Sequence, residues 1–541
     1  GSLGCLFCLG FQSQSHMAFS LEPDAPPAGP SPWLVLVLSC AFLIAGVIGH
    51  DPWKSEDAIN IAIAHDFAQA GQWSMPTLAG DPWPEAEPLY HWLAAVTGMA
   101  FGAVLPFHEG ARLAAALLGG LFLFVLAGAA RSLFGRQAAW ASPLLAMGTL
   151  GLLVPMHEAQ PASTILAAIA TVYWGIALSD GHRRIAMSLI GGGLGTTFLA
   201  GGLVAVLPTL TLLAIPLWRR QWWTAIGALL IGSLLALSWP TALVLAHPTH
   251  LDDWWAAEIA TIAPRNPFSL AHLEWLSWFA WPVLLIAAWA LWRNRRQLAH
   301  GPLAAPALGA GIALIWLLLH EPKLTLALPL LPPLMLAATA GCERLRRGAA
   351  NAWDWFGMMT FSLFVALTWL GASALYVGWP PKVAANAARI APGFTTPIST
   401  PALVVALVTT LGWLVVLTRL PRSPWRPAIR WAAGVTVLWL LVVALLMPWI
   451  DYGKTYRSVV AGLREALPPD FGCIERRGLG ASQRASLDYF AGIRTQTTTD
   501  DCRWLLVQSN PREQPPTGWD NIWEGRRPGD RDEVWRLYRR D

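Results

Sequence analysis

Long apolar runs separated by short polar segments dominate the pattern of this chain. Several runs are shorter than the roughly 20 residues with which an α-helix crosses a bilayer unaided. The two runs on either side of Gly201-Gly202 could instead be one long, broken helix. The pattern predicts an all-α polytopic membrane protein of about 13 transmembrane helices, near residues 32–49, 110–130, 137–155, 161–178, 187–199, 202–217, 222–246, 275–293, 303–319, 324–341, 357–377, 401–417 and 431–449.

The composition supports a membrane protein. The 541 residues are 55% hydrophobic and 13% charged, whereas a soluble protein carries about 25% charged residues. The net charge of +4 is small, and the basic residues form short clusters between apolar runs. This distribution reflects membrane topology, so we expect no nucleic-acid partner. Residues 1–16 read as an expression-vector remnant before Met17, and we leave their two cysteines out of functional consideration.

The basic clusters predict an orientation. With 13 spans they all fall on one side of the membrane, which the positive-inside rule makes cytoplasmic. These clusters lie at 131–136, 183–184, 219–220, 293–296, 344–347 and 419–430. The opposite side then receives the first outer loop, residues 50–109, and the polar tail from Asp451. We therefore divide the native chain into a transmembrane domain, 17–450, and a soluble C-terminal domain, 451–541.

The tail is rich in Arg, Asp and Glu and predicts a small α/β domain. We expect helices at 454–466 and 482–490 and strands at 473–476 and 504–508. Cys473 and Cys502 flank this unit. We favour a disulfide between them over two unrelated thiols, because the tail holds no other cysteine and an oxidising compartment permits the bond.

The first outer loop is acidic and aromatic. Between residues 50 and 92 it carries Asp51, Glu56, Asp57, Asp66, Asp81, Glu85 and Glu87, with Trp53, Trp73, Trp83, Tyr90 and Trp92. Tryptophan and tyrosine favour the membrane–water boundary. Carboxylates beside them suit chemistry on a polar group that a lipid carries. The alternative is a solvated loop with an aromatic belt.

The order of the motifs adds a resemblance. The first outer loop reads W-x-x-[DE]-[DE], G-x-W, P-x-L-x-G-x-P and P-L-Y-x-W at 53–57, 71–73, 76–82 and 88–92. Trp254-Trp255 with Glu258, and Lys323-Leu324 ahead of the proline-rich 328–333, follow later. Together they resemble the lipid-dependent glycosyltransferases of the C superfamily. The resemblance is nearest to the aminoarabinose transferases that modify lipid A, and more distant to the protein O-mannosyltransferases.

This resemblance implies a bacterial inner-membrane glycosyltransferase with a periplasmic active site. Such an enzyme moves a sugar from a polyprenyl-phosphate donor to a lipid A-like glycolipid, a glycan or a protein. We expect a monomer among membrane lipids. A lipid or glycolipid transporter (a flippase) and a non-catalytic membrane scaffold are the alternatives, although no repeated half supports a transporter.

The resemblance also assigns catalytic roles. An acceptor hydroxyl needs a carboxylate as general base, and Glu56 is the first choice, followed by Asp57. Glu158 stands near the position where the family has an aspartate and could replace it. The structural alternative is that Glu56 caps a helix beginning near Ala58, because carboxylates favour helix N-termini.

The donor phosphate needs cations. Lys323 is the first candidate, because it lies on the side opposite the basic clusters, although it could simply snorkel towards the boundary. Arg265 is the second, and Arg112 is a weaker one that could only anchor its helix. The remaining expected substrate contacts are Glu85, Glu87, Tyr90, Trp53 and Glu258.

A divalent metal is possible but not required by the sequence. Glu85 and His272 are the candidate ligands, without the tight spacing of known metal motifs. Departures from the family pattern leave the sugar and the acceptor open. The chain reads Glu85-Ala86-Glu87-Pro88 where the family has a lysine, and Ala200-Gly201-Gly202 where it has Lys-Gly-Pro.

Overall fold

Helices make up most of the protein. The structure is a computed structural model that describes residues 29–53, 56–264, 269–497 and 502–540. The helices within these residues are α1 Pro32–Ile44, α2 Glu56–Ala70, α3 Pro88–Phe101, α4 Phe107–Phe134, α5 Arg136–Met147, α6 Ala162–Leu178, α7 Arg183–Leu210, α8 Ala214–Trp218, α9 Trp222–Ala246, α10 Leu251–Ile262, α11 Leu270–Phe279, α12 Val283–Arg293, α13 Ala304–Leu318, α14 Leu324–Ala327, α15 Leu331–Cys342, α16 Arg347–Tyr376, α17 Pro381–Ile390, α18 Thr400–Arg419, α19 Arg426–Leu445, α20 Met447–Lys454, α21 Arg457–Ala466 and α22 Ala481–Ala491. The strands are β1 Thr77–Leu78, β2 Asp81–Pro82, β3 Ile474–Arg477, β4 Trp504–Ser509, β5 Asp520–Gly525 and β6 Val534–Arg539.

The apolar helices confirm a polytopic membrane protein but not the count of 13 spans. Among the described residues, seven helical segments are long and apolar enough to cross a membrane, or eight if one bent pair is a single span. That pair, α11 and α12, bends by 98°. The helices α1, α6 and α13 are apolar but shorter. The sequence count was higher because it treated every apolar run as a full span.

Residues 187–217 form one broken segment, as the alternative interpretation held. The backbone leaves the helical region at Gly201 (φ −150°, ψ 18°) and Gly202 (φ 57°, ψ −156°). Gly202 adopts a combination that only glycine reaches without strain. The Leu203 N–H that this break exposes donates to Glu258 Oε2 at 2.8 Å. Glu258 therefore stabilises the broken end by capping it with a carboxylate.

The first outer loop folds into two helices and a tight hairpin. Helix α2 begins with Glu56 and Asp57, acidic residues that suit a helix N-terminus. Strands β1 and β2 pair across Ala79 and Gly80, which both have positive φ, as a two-residue hairpin turn requires. Pro88 then opens α3. This arrangement presents Glu56 and the segment 83–87 on the same part of the molecule.

The tail confirms the expected small α/β character. The described C-terminal residues form a four-stranded sheet in the order β3-β4-β6-β5, with β3 parallel to β4 and the other pairs antiparallel. Helix α22 connects the two parallel strands, and Leu463, Leu506 and Trp535 lie in the core beneath the sheet. Strands β5 and β6 were not predicted. We call residues 451–541 the C-terminal domain hereafter.

A disulfide joins Cys473 to Cys502 in the structure. The two residues precede the parallel strands β3 and β4, so the bond fixes the start of the strand pair. The two cysteines are 29 residues apart in the sequence. In the chain-entropy treatment, a disulfide that closes a loop of this length lowers the entropy of the unfolded chain and so stabilises the folded domain by about 3–4 kcal/mol.

We predict that this bond is present in the purified protein. Thiol labelling after denaturation should detect neither cysteine until a reductant is added. Two free thiols without reductant would contradict the bond. After reduction in intact spheroplasts, a membrane-impermeant reagent should label both residues, because the tail is expected outside the cytoplasm. Protection there would reverse the predicted orientation.

Candidate active site

A buried ion pair lies at the base of the first outer loop. Arg112, on α4, donates from Nε to Asp57 Oδ1 at 3.0 Å and from Nη2 to Asp57 Oδ2 at 2.6 Å. Its guanidinium also donates to the carbonyl oxygens of His50 at 2.8 Å and Asp51 at 3.0 Å. The Ala159 N–H donates to Asp57 Oδ1 at 2.7 Å. The pair thus connects four segments that are distant in sequence.

This pairing makes Asp57 an anchor rather than a base. Burial alone would raise the pKa of Asp57, but the charge and hydrogen bonds of Arg112 outweigh burial and lower it. A carboxylate with a lowered pKa and two filled oxygens is a poor proton acceptor. Arg112 is fully buried and bound to Asp57, so it cannot bind a donor phosphate as the sequence suggested.

Trp53 and Tyr90 lie away from the cavity described below. The Trp53 indole donates to Asp451 Oδ1 at 2.7 Å, and Asp451 also accepts the Asp51 N–H at 3.0 Å. Tyr90 is fully buried in the core of the first outer loop. The structure therefore gives both residues a packing role instead of the substrate contact expected from the sequence.

A cavity of about 330 Å³ opens beside the Gly201-Gly202 break. Five parts of the chain line it: the first outer loop, the start of α6, α7 at the break, helix α10, and the segment that enters α14. Its polar lining includes the predicted site residues Glu85, Glu87 and Lys323 together with His320 and Glu321. Ile165, Val204 and Leu326 supply apolar walls. The cavity combines charged groups with an apolar side, as a site for an amphipathic lipid phosphate requires.

Two carboxyl groups meet at the glycine break. Glu87 and Glu258 hydrogen bond to each other; burial first, and then the charge of Glu258, raise the pKa of Glu87 well above 4.5. Burial and the neighbouring carboxyl thus favour the protonated form of Glu87. A Cβ on Gly202 would lie 2.4 Å from an oxygen of each carboxyl. Only glycine allows both groups to reach the backbone here.

Lys323 contributes a cation to the cavity lining. Its ammonium lies 3.4 Å from Glu321, and its side chain is 60% exposed. Exposed pairs of this kind contribute little to stability, so the ammonium can exchange partners with a ligand. Arg265, the second phosphate candidate, lies outside the described residues.

Two carboxyl groups of the outer face, Glu56 and Glu158, have raised pKa values. Desolvation of its carboxyl group, and then the charge of Glu85, raise the pKa of Glu56 above 4.5, although the residue as a whole is exposed. Burial, and then the charge of Asp57, raise the pKa of Glu158 to about 7, although Gln160 donates to Glu158 at 2.7 Å. Glu56 itself makes no hydrogen bond or ion pair with any residue that the structure describes. A carboxylate with a raised pKa and unoccupied oxygens suits general base catalysis near neutral pH.

The proposed metal ligands are not brought together. The His272 ring lies 2.7 Å, through Nε2, from the His320 carbonyl oxygen and 3.2 Å, through Nδ1, from the Ser269 hydroxyl. His272 is the N3 residue of the capping box that Ser269 opens at the start of α11. Among the described residues, no group of three or more histidine, cysteine or acidic side chains is arranged to hold a metal ion.

The sequence missed the residues that connect the first outer loop to the tail. Arg457 pairs with Asp51, and Arg476 and Arg484 pair with Asp81. These partners lie about 400 positions apart, so no local pattern links them. The sequence offered one general indication of this contact: the tail is rich in arginine and the first outer loop is rich in carboxylates, so the two segments carry groups of opposite charge.

Comparison with solved structures defines the class of fold. No protein-family model matches the chain. The structure superposes on ArnT from Cupriavidus metallidurans, bound to undecaprenyl phosphate, with a TM-score of 0.70, 16% identity and coverage of 93% of this chain and 97% of that one. The apo form of the same protein gives the same values. The chain therefore has the same fold as that protein.

Within this class the chain is similar to aminoarabinose transferases. It is 26% identical over 358 residues to the undecaprenyl phosphate-α-4-amino-4-deoxy-L-arabinose arabinosyl transferase of Pseudomonas paraeruginosa, covering 61% of this chain and 63% of that protein. The enzyme of the same name from Shewanella sediminis is 25% identical over 255 residues, or 44% of each chain. The match thus spans less than two thirds of either relative. The resemblance inferred from the motifs is confirmed.

We predict that Asp57→Asn destabilises the protein by about 3–5 kcal/mol, because it leaves the Arg112 charge buried without a partner. Thermal unfolding in detergent measures this change. Glu56→Gln, one residue earlier on the exposed side, is the matched control and should shift stability by less than about 0.5 kcal/mol. Equal melting temperatures for the parent and both variants would show that the ion pair does not anchor the fold.

The contribution of Asp57 to stability should also depend on pH. Because the folded-state pKa of Asp57 is lowered, this contribution should persist above pH 3.8 and be lost as the pH falls through the lowered value.

Proposed function

We propose that this protein is a membrane glycosyltransferase that moves a sugar from a polyprenyl-phosphate donor to an acceptor outside the cytoplasm. The observation that carries the proposal is the cavity at the glycine break. It holds carboxylates and Lys323 beside an apolar wall, within a GT-C fold. Its sequence relatives are named as transferases that use undecaprenyl phosphate-linked aminoarabinose.

The distribution of charge and the fold support a placement of the protein in the cell. We propose a bacterial inner-membrane protein whose basic loops face the cytoplasm, whose residues 17–450 form the transferase domain, and whose residues 451–541 lie in the periplasm as a soluble domain. The donor tail would lie among the membrane helices, and its phosphate would reach the cavity. A lipid A-like glycolipid, a glycan and a protein are the candidate acceptors, and we propose that the chain acts as a monomer.

In the proposed reaction, Glu56 accepts the proton of an acceptor hydroxyl. The acceptor oxygen then forms a bond to the anomeric carbon while the bond from that carbon to the phosphate oxygen breaks. Polyprenyl phosphate leaves with the electron pair, and Lys323 stabilises its charge. Attack opposite to the leaving group inverts the anomeric centre. Glu158, whose pKa is raised to about 7, is proposed to influence Glu56 through its charge rather than through a direct hydrogen bond.

The direct test is transfer of a labelled sugar. The protein, reconstituted in liposomes with a labelled polyprenyl-phosphate sugar, should move label into the glycolipid, glycan or protein fraction of a bacterial envelope extract. Movement of intact labelled donor between leaflets without transfer would support a flippase instead. Neither transfer nor movement would support a scaffold. Comparing envelope glycolipids by mass spectrometry with and without the protein would then identify the product.

We predict that Glu56→Gln lowers the transfer rate about 10²–10⁴-fold, the usual effect of removing a general base. Donor binding should stay nearly unchanged, because Gln preserves the shape of the side chain. In the parent, activity should fall as the pH drops through the raised pKa of Glu56, above 4.5, because the base must be ionised. Turnover of the variant within a few-fold of the parent would assign Glu56 to helix capping.

We also predict that Lys323→Ala weakens binding of the polyprenyl-phosphate donor by roughly 10–100-fold, equivalent to a charge-assisted contact of about 1.5–3 kcal/mol. Titration with undecaprenyl phosphate measures the affinity. Lys382→Ala is a matched control, because Lys382 lies on the separate helix α17. An unchanged affinity in Lys323→Ala would exclude Lys323 from the phosphate site, and Arg265 would be tested next.

A further inference from the structure

The C-terminal domain contacts the hairpin that leads into the active-site carboxylates. Arg484, on α22, donates from Nη2 to Asp81 Oδ2 at 2.5 Å and to the Leu78 carbonyl oxygen at 3.2 Å. Arg476, on β3, donates to the same Asp81 oxygen from both terminal nitrogens at 3.2 Å. Both arginine side chains are largely buried, at 10% and 13% exposure. Two cations therefore converge on one carboxylate oxygen at the hairpin turn.

A third arginine strengthens the same contact. Arg494 lies 3.4 Å from Asp66 Oδ1 and 3.1 Å from Asp488 Oδ1. Asp66, on α2, accepts from Thr77 at 2.8 Å and from the Gly80 N–H at 3.4 Å. The hairpin thus makes hydrogen bonds both with α2 and with the C-terminal domain.

The hairpin can transmit this restraint to the cavity. Only three residues separate Asp81 from Glu85, and five separate it from Glu87. Pro82, Pro84 and Pro88 restrict the backbone of this connection, because each ring fixes φ and limits the residue before it. The Trp83 N–H also donates to the Pro76 carbonyl oxygen at 2.9 Å. A stiff connection with a fixed start leaves Glu85 and Glu87 little freedom.

We propose that Arg476 and Arg484 are positioning residues, and that the C-terminal domain acts through Asp81 to hold Glu85 and Glu87 in the cavity. This inference rests on the proposed function for its catalytic meaning. The C-terminal domain then contributes to the site, although none of its described residues lines the cavity. Arrangement of reacting groups is sensitive to small shifts, and a displacement of about 1 Å can lower a rate about 100-fold.

The first test does not depend on activity. Hydrogen–deuterium exchange over residues 77–87 should rise at least severalfold in Arg476→Ala/Arg484→Ala relative to the parent. Arg464→Ala is the matched control, because Arg464 lies in the same domain and contacts Phe471 and the Pro468 carbonyl. Unchanged exchange in the double variant, with the domain still folded, would overturn the proposal.

The second test separates positioning from general destabilisation. Arg484→Ala should lower kcat/KM for sugar transfer by about 10–100-fold, while affinity for undecaprenyl phosphate stays within about twofold, because Lys323 is not on the hairpin. Arg484→Lys should recover part of the loss. Asp81→Asn combined with Arg484→Ala should be no worse than the more severe single change, as expected for partners in one contact.

The outcomes distinguish this inference from the proposed function. If the parent transfers no sugar, the transferase proposal fails, and the exchange measurement still decides whether the arginines restrain the hairpin. If the parent is active and the variants lose donor affinity and melting temperature together, the arginines only hold the fold and the positioning role is wrong.

Discussion

The ion pair between Arg112 and Asp57 is the contact on which the outer face of this protein depends. It joins a membrane helix, the start of α2, the backbone at residues 50–51 and the backbone at Ala159. Burying both charges is costly, and the geometry compensates by filling every oxygen of Asp57 with donors. Because α2 is fixed at its first turn, Glu56 is fixed one residue earlier and faces outward. In the acidic pair, Asp57 therefore has a structural role, and the Glu56 carboxylate remains available for catalysis.

The candidate cavity has a different charge balance from the one the family pattern implies. The position of the family lysine is Ala86, and the Lys-Gly-Pro turn is replaced by Ala200-Gly201-Gly202. At this break Glu258 caps the broken helix through the Leu203 N–H, and Glu87 hydrogen bonds to Glu258. The raised pKa of Glu87 favours its neutral form, which repels a donor phosphate less than a carboxylate does. Lys323 supplies a positive charge to the same cavity lining.

The sequence predicts where the helices lie and which residues belong to the site, but it predicts the role of each site residue less well. Hydrophobic runs locate the membrane helices, because burial in lipid demands continuous apolar surface. They do not establish the number of spans, because short or bent helices such as α11 and α12 give the same apolar pattern as a full span. Motifs bring Glu85, Glu87, Glu258 and Lys323 to one site, but they do not show that Tyr90 is buried. Pairs such as Asp57 with Arg112 depend on tertiary packing across 55 positions, and contacts with the tail across about 400.

The claim that the glycine-break cavity receives the polyprenyl phosphate is the centre of this account. A photoreactive undecaprenyl-phosphate analogue, cross-linked in liposomes and mapped by mass spectrometry, tests it most directly. We expect labelled peptides at residues 200–204, 257–263 and 320–326, with labelling suppressed by unmodified undecaprenyl phosphate. Suppressible labelling confined instead to the apolar cleft between α12 and α16, lined by Trp289, Trp353 and Arg346, would contradict it.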